Sequence, residues 1–283
     1  VTFGTKHSGG VVALNVSAGS RSCACKRAGA LVLLFAACSQ RAPGSESSAS
    51  ARAPNPEDLR TASVHRISSE PLIDGDLSEP AWRSATVLGP FVAARSGLFE
   101  PKQPLAGSAR LLWSDHFLYV AFEVRDPDLR GGFPANAVDP HLWERDTVEL
   151  MIDPLGDGDN RDYFELQINP QNLAFDSRFD DYNRPRGGPD GPFGHQDWSS
   201  QRQSAVVLDG TLDDPSDVDR GYTVELRVPW AAFAPQAARP QSGESWRMNF
   251  YAMENNGGVA WSPILGQGNF HKAARFGRVT FVD

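Results

Sequence analysis

TVELMIDPLGDGDNRDYFELQI, residues 147 to 168, sets two runs of alternating residues around one acidic, glycine-rich turn. Val148, Leu150 and Ile152 alternate with Thr147, Glu149 and Met151; Phe164, Leu166 and Ile168 alternate with Glu165 and Gln167. Successive side chains of an extended strand point to opposite faces, so these patterns predict strands with one apolar and one polar face. The same period runs through Leu118, Val120, Phe122 and Val124, through Tyr222, Val224, Leu226 and Val228, and through Trp246, Met248, Phe250 and Ala252. DPDLRGG (126–132), DPLGDGDN (153–160), NRPRGGPDGPFG (183–194) and ENNGG (254–258) supply turns between runs. Helical patterning is confined to EPAWRSA (79–85) and PWAAFA (229–234), each with proline near its first turn. Burying so many one-sided strands requires a facing sheet. The expected fold is all-β, a two-sheet antiparallel β-sandwich of jelly-roll or immunoglobulin-like layering, with one wet face per sheet.

The 283 residues, 26 of them Gly and 21 Pro, fit one such domain with an irregular N-terminal region. The cysteines, Cys23, Cys25 and Cys38, all precede the patterned region, so a disulfide or thiolate metal site within the domain is excluded. Ala28 to Ala37 is a short apolar run after Lys26 and Arg27 that ends in FAAC, the layout of a signal region with a small-residue cleavage site. FAAC resembles a bacterial lipobox, which makes Cys38 the expected acylated residue. The chain is then exported, and anchored by lipid at the outer membrane or in the periplasm. Residues 1–37 form the signal region, 38–62 a Ser/Ala/Pro-rich tether and 63–283 the folded domain. Without residues 1–37 the chain keeps 23 of its 27 basic residues and all 35 acidic ones, a net charge of −12. That balance argues against nucleic acid as a partner and leaves the lipid as the only membrane contact.

Four stretches in fixed order, LIDGDLSEPAW (72–82), LYVAFEVRDPD (118–128), WERDTVELMIDP (143–154) and GYTVELRVPW (221–230), resemble the family 9 carbohydrate-binding modules. The C-terminal AWSPILGQGNFHKAARFGRVTF (260–281) resembles the end of that family. The resemblance implies a sandwich that binds a mono-, oligo- or polysaccharide without catalysis, its sugar ring clamped between two tryptophans. It maps Trp143, six residues before Glu149, to the first wall and Trp261 to the second. Glu149, Gln167 and Asn256 are the expected polar contacts, and Glu149 and Gln167 share the polar parity of their strands. An aromatic ring stacks on the C–H face of a sugar while carboxylate and amide groups meet its hydroxyls.

Family members can also carry structural calcium, for which Asp153, Asp157 and Asp159 offer the hard oxygen ligands that ion prefers. Two other readings compete. A related sandwich group binds b-type haem, for which His141, Met151 and Met253 are candidate ligands. A glycoside hydrolase needs two carboxyls across a cleft, and an acidic chain offers many pairs without specificity. No HExxH, GxSxG or phosphate-cradling glycine loop is present.

Overall fold

The computed structural model describes residues 59–100, 102–184 and 193–283. The signal region, Cys38 and most of the tether lie outside the described residues. The strands are β1 (Thr61–His65), β2 (Thr86–Leu88), β3 (Val92–Ala93), β4 (Ala106–Trp113), β5 (Phe117–Arg125), β6 (Thr147–Asp153) and β7 (Arg161–Ile168). They continue with β8 (Ala174–Asp181), β9 (Gln203–Asp209), β10 (Gly221–Pro229), β11 (Ser245–Glu254), β12 (Gly257–Ala260) and β13 (Gly277–Val282). Five form one antiparallel sheet in the order β2-β4-β5-β10-β9, and eight form the other, β1-β13-β11-β6-β7-β8 with β12 and β3 paired beyond β11. This is the expected two-layer sandwich, with one departure: β1 runs parallel to β13. Because β1 begins at Thr61, the domain also starts slightly ahead of the expected boundary at residue 63.

The inner faces carry the alternating apolar positions. Val148, Leu150 and Ile152 of β6, Phe164 and Leu166 of β7 and Phe250 of β11 meet Val120, Phe122 and Leu226 of the opposite sheet in one buried cluster. Trp113, Trp230 and Trp246 join it, edge-on to one another or to Phe281. Side-chain area removed from water at roughly 25 cal/mol per Å² makes this layer the main source of stability.

The expectation of a wet outer face on each sheet needs correction, because irregular segments cover part of both. On the five-stranded sheet, Ile73 and Trp82 pack over Leu112, Tyr119 and Ala121. Glu225 of β10 explains the attachment. Its Oε2 accepts the backbone N–H of Asp74 and Gly75 at 2.9 and 2.8 Å, and its Oε1 accepts the Trp82 indole N–H at 2.8 Å. The Trp82 ring sits on α1 (Pro80–Arg83) and is fully buried. Gly75 has φ +89°, and a Cβ there would lie 2.7 Å from Val207 Cγ2, so no other residue fits this turn without rearrangement. The LIDGDLSEPAW stretch is thus a clasp, with glycine, tryptophan and a distant glutamate as its parts.

On the eight-stranded sheet the outer face carries a second cluster. Met151, Tyr163, Phe179, Tyr251 and Met253 pack beneath Ala273 and Phe276 of the segment leading into β13. The cover is incomplete, and the gap it leaves is the site described next.

Candidate functional site

The expected strand parity brings Glu149 and Gln167 directly opposite each other on β6 and β7, both on the outer face. Tyr251 of β11 flanks Glu149 on its other side, and Phe175 of β8 flanks Gln167. Two residues along β7, Glu165 has the same parity. Glu149, Gln167, Glu165 and Phe175 line a pocket of about 270 Å³, with the three polar side chains as its floor. That volume sits just under the usual range for small-molecule sites, roughly 300–1,000 Å³, and suits one small ring rather than a long chain.

The floor is buried rather than wet: Glu149 is 2 % exposed, Gln167 1 % and Glu165 3 %. The Gln167 amide N–H2 donates to Glu149 Oε2 at 3.0 Å and to Glu165 Oε1 at 2.6 Å. Its two donors are then spent. Glu149 Oε1 and Gln167 Oε1 remain buried without a hydrogen-bond partner. Burial raises the pKa of both carboxyls, most strongly for Glu149, which also feels the charge of Glu165. Unpartnered acceptors in a low-dielectric floor cost stability in the empty protein and favour any ligand that brings donors.

Aromatic rings line the walls. Trp143 stands on a one-turn 3-10 helix, Leu142–Glu144, whose Leu142 is anchored in the interior. The Trp143 carbonyl accepts the N–H of Asn256, which ties the β11–β12 turn to this wall at 2.9 Å. The His141 ring stacks on the indole at 4.5 Å and 18°, and Phe175 meets it edge-on at 5.2 Å. Phe193 lies 5.7 Å from the same indole. Elsewhere on the rim, Tyr182 stacks on His271 at 4.3 Å, and Phe270 is edge-on to Tyr251. The Asn269 amide donates to Tyr182 Oη at 2.7 Å, and His271 Nδ1 lies 2.8 Å from Tyr163 Oη.

Trp143, Glu149, Gln167 and Asn256 therefore line one pocket, and Trp261 does not. This corrects its expected place as the second wall. Strand parity continues past β12, so that Val259 and Trp261 turn inward while Ala260 faces the outer cluster. The Trp261 ring is 3 % exposed and edge-on to Phe250 at 5.7 Å. It also fills the space above Gly277, where a Cβ would lie 2.3 Å from its ring. Trp198 is likewise outside the pocket, its indole N–H donating to the Ala232 carbonyl.

Several lining residues were not expected. Glu165 and Phe175 follow from parity once the neighbouring strands are paired, whereas Tyr182, Phe193, Phe270 and His271 come from turns without periodicity.

The carboxylates of the acidic turn, expected as calcium ligands, are engaged with its own backbone. Asp153 accepts the N–H of Gly156 and of Gly158, each at 2.9 Å. Asp157 and Asp159 accept the N–H of Asp159 and Arg161. These carboxylates hold the turn itself, and among the described residues no three acidic, histidine or cysteine side chains are grouped to hold a metal. The haem candidates do not converge either: Met253 lines the pocket, Met151 is sealed in the cluster beneath it, and His141 lies against the back of Trp143.

Comparison with known proteins agrees with this architecture. The chain is 26 % identical over 165 residues to endo-1,4-beta-xylanase A of Thermotoga maritima. That match spans 58 % of this chain but only 12 % of the xylanase. A family 9 carbohydrate-binding module from Caldicellulosiruptor kristjanssonii, solved with cellotriose, superposes with a TM-score of 0.52 at 18 % identity, covering 79 % of this chain and 94 % of that one. A family 9 module from the same organism solved with glucose gives 0.50 at 19 % identity, covering 78 % and 95 %. A Bacteroides uniformis structure, described as a putative carbohydrate-binding protein, gives 0.59 at 19 % identity, covering 79 % and 100 %. The profile described as "Carbohydrate family 9 binding domain-like" matches residues 73–283, and the chain belongs to that family.

Proposed function

We propose that this protein binds carbohydrate without catalysis, seating one saccharide unit in the pocket against the face of Trp143. Glu149 and Gln167 accept hydrogen bonds from its hydroxyls, and Asn256 contributes at the rim. The observation that carries this reading is the pair of buried, unpartnered acceptors, Glu149 Oε1 and Gln167 Oε1, in an aromatic-walled pocket. Further support comes from the family and from two similar modules solved with cellotriose and glucose. The second wall in this reading is assembled from Phe and Tyr side chains rather than a second tryptophan.

Titration with glucose and cello-oligosaccharides tests it. Removing a central aromatic wall costs about 2 kcal/mol when that wall is a binding hot spot, a loss of about thirtyfold in Kd. Trp143→Ala is expected to lose that much affinity with little loss of stability, since its ring is only half-buried in the empty protein. Wild-type protein that binds no saccharide, or Trp143→Ala with unchanged affinity, overturns the reading.

We also propose the lipid anchor at Cys38, which would hold the domain at the outer membrane or in the periplasm. Acylation at one cysteine supplies more than one chain, as stable anchoring requires. Cys38→Ala should move the expressed protein from the membrane to the soluble fraction; equal partitioning of the two forms removes the anchor.

A further inference from the structure

The polar floor of the pocket has an unusual balance for a site that takes neutral sugars. Both Gln167 donors are committed to Glu149 and Glu165, so the floor presents acceptors toward a ligand. Two carboxyls, Glu149 and Glu165, share that floor, and among the described residues no lysine or arginine lines the pocket. The basic side chain that does line it is His271, with Nε2 3.9 Å from Glu165 Oε2 and Nδ1 in contact with the Tyr163 hydroxyl. The hydroxyls of Tyr163, Tyr182 and Tyr251 lie nearby, and the charge of Arg275 acts on Tyr251.

The walls add a second attraction. Ring faces of Trp, Tyr and Phe draw cations through their quadrupoles, most strongly where water is excluded, and aromatic enclosures are a recurring way to hold an ammonium group. Trp143, Phe175, Phe179, Tyr182, Phe193 and Phe270 surround the two carboxyls. An ammonium group brings three donors and a charge, where a hydroxyl brings one donor. It would meet the free Glu149 and Gln167 oxygens and draw the carboxyls, which burial holds toward their protonated forms, into the ionised state.

Building on the carbohydrate-binding reading, we propose that the pocket selects saccharides bearing a protonated amino group, hexosamine units such as glucosamine, over their neutral counterparts. Burial, and for Glu149 the charge of Glu165, raises the pKa of both carboxyls in the empty protein.

Calorimetric titration of the full chain with glucosamine, glucose and N-acetylglucosamine tests this. It is run at about pH 6.5, where an amine with a pKa of roughly 8 is protonated. Glucosamine is expected to bind about tenfold or more tightly than glucose, and N-acetylation, which removes the charge, should abolish the advantage. Glu165→Gln should cut glucosamine affinity more than glucose affinity, bringing the two within about twofold. Glucose bound as tightly as glucosamine, or a preference unchanged by acetylation, overturns the inference while leaving sugar binding intact. A preference that persists in folded Glu165→Gln also overturns it, and no binding of any of the three sugars removes both this inference and the reading beneath it.

Discussion

Trp261→Ala is expected to lower the unfolding free energy by about 3–5 kcal/mol, the usual cost of truncating a buried tryptophan, while leaving the sugar affinity of the folded fraction within about twofold. The ring is buried against Phe250 and covers Gly277, which has no side chain to move into the space left behind. Collapse of the cavity would need the backbone of β13 to shift toward β11, and β13 is held on both sides, by β1 and by β11. The loss should therefore sit at the high end of large-to-small substitutions. A denaturant midpoint for each tryptophan variant, with titration of the folded protein, separates the two roles: Trp143→Ala should lose affinity, Trp261→Ala stability. A stable Trp261→Ala that has lost sugar binding would restore Trp261 as a wall of the site.

The same tryptophan shows where sequence reading reached its limit. Parity identified which side of β6 and β7 carries Glu149 and Gln167, because register at a half-buried sheet is set by the alternation itself. Continued one residue past β12, the same parity turns Trp261 inward with Val259. The family resemblance alone assigned Trp261 to the second wall, and it did not weigh this parity. Burial was harder to foresee. Glu149 and Gln167 were expected on a wet face, and they lie under a cover built partly from residues 269–276, a segment whose only regular element is one 3-10 turn, Ala273–Arg275. Irregular cover has no hydrophobic period to detect, so the pocket walls from Tyr182, Phe270 and His271 had no local signal. Glu165 had one, its parity, but in a chain with 35 acidic residues one more strand glutamate does not stand apart. The parallel pairing of β1 with β13 joins residues more than two hundred positions apart, a choice that local patterns do not encode.

Asp146→Asn is expected to stabilise the protein at neutral and alkaline pH and to flatten its dependence of stability on pH. Asp146 precedes β6 and is 1 % exposed, with its Oδ2 accepting the Arg130 N–H at 2.5 Å. Burial, reinforced by the nearby charge of Asp126, raises its pKa from 3.8 to about 8. Burial likewise raises Asp126 to about 6, and its Oδ2 has no hydrogen-bond partner. A carboxyl with a folded pKa above its unfolded value holds its proton more tightly when folded. Its contribution to stability is complete below the unfolded pKa and is lost as pH rises through the folded one. For Asp146 that window runs from about pH 4 to about pH 8. Each tenfold gain in proton affinity on folding is worth about 1.4 kcal/mol, and the nearby charge of Asp126 supplies part of the shift, so the loss by pH 8 is on the order of 2–4 kcal/mol. Asparagine matches the protonated acid in shape and keeps an oxygen for the Arg130 N–H, but it cannot ionise beside Asp126. The variant and wild type should therefore be about equally stable near pH 4, and separate by on the order of 2–4 kcal/mol toward pH 8. Urea unfolding across this range, in chelator-containing buffer so that the effect belongs to the carboxyls alone, provides the measurement. Parallel curves for the two proteins, or a variant that falls below wild type as the pH rises from 4 to 8, would show that Asp146 is ionised in the folded protein and that its charge is balanced where it sits.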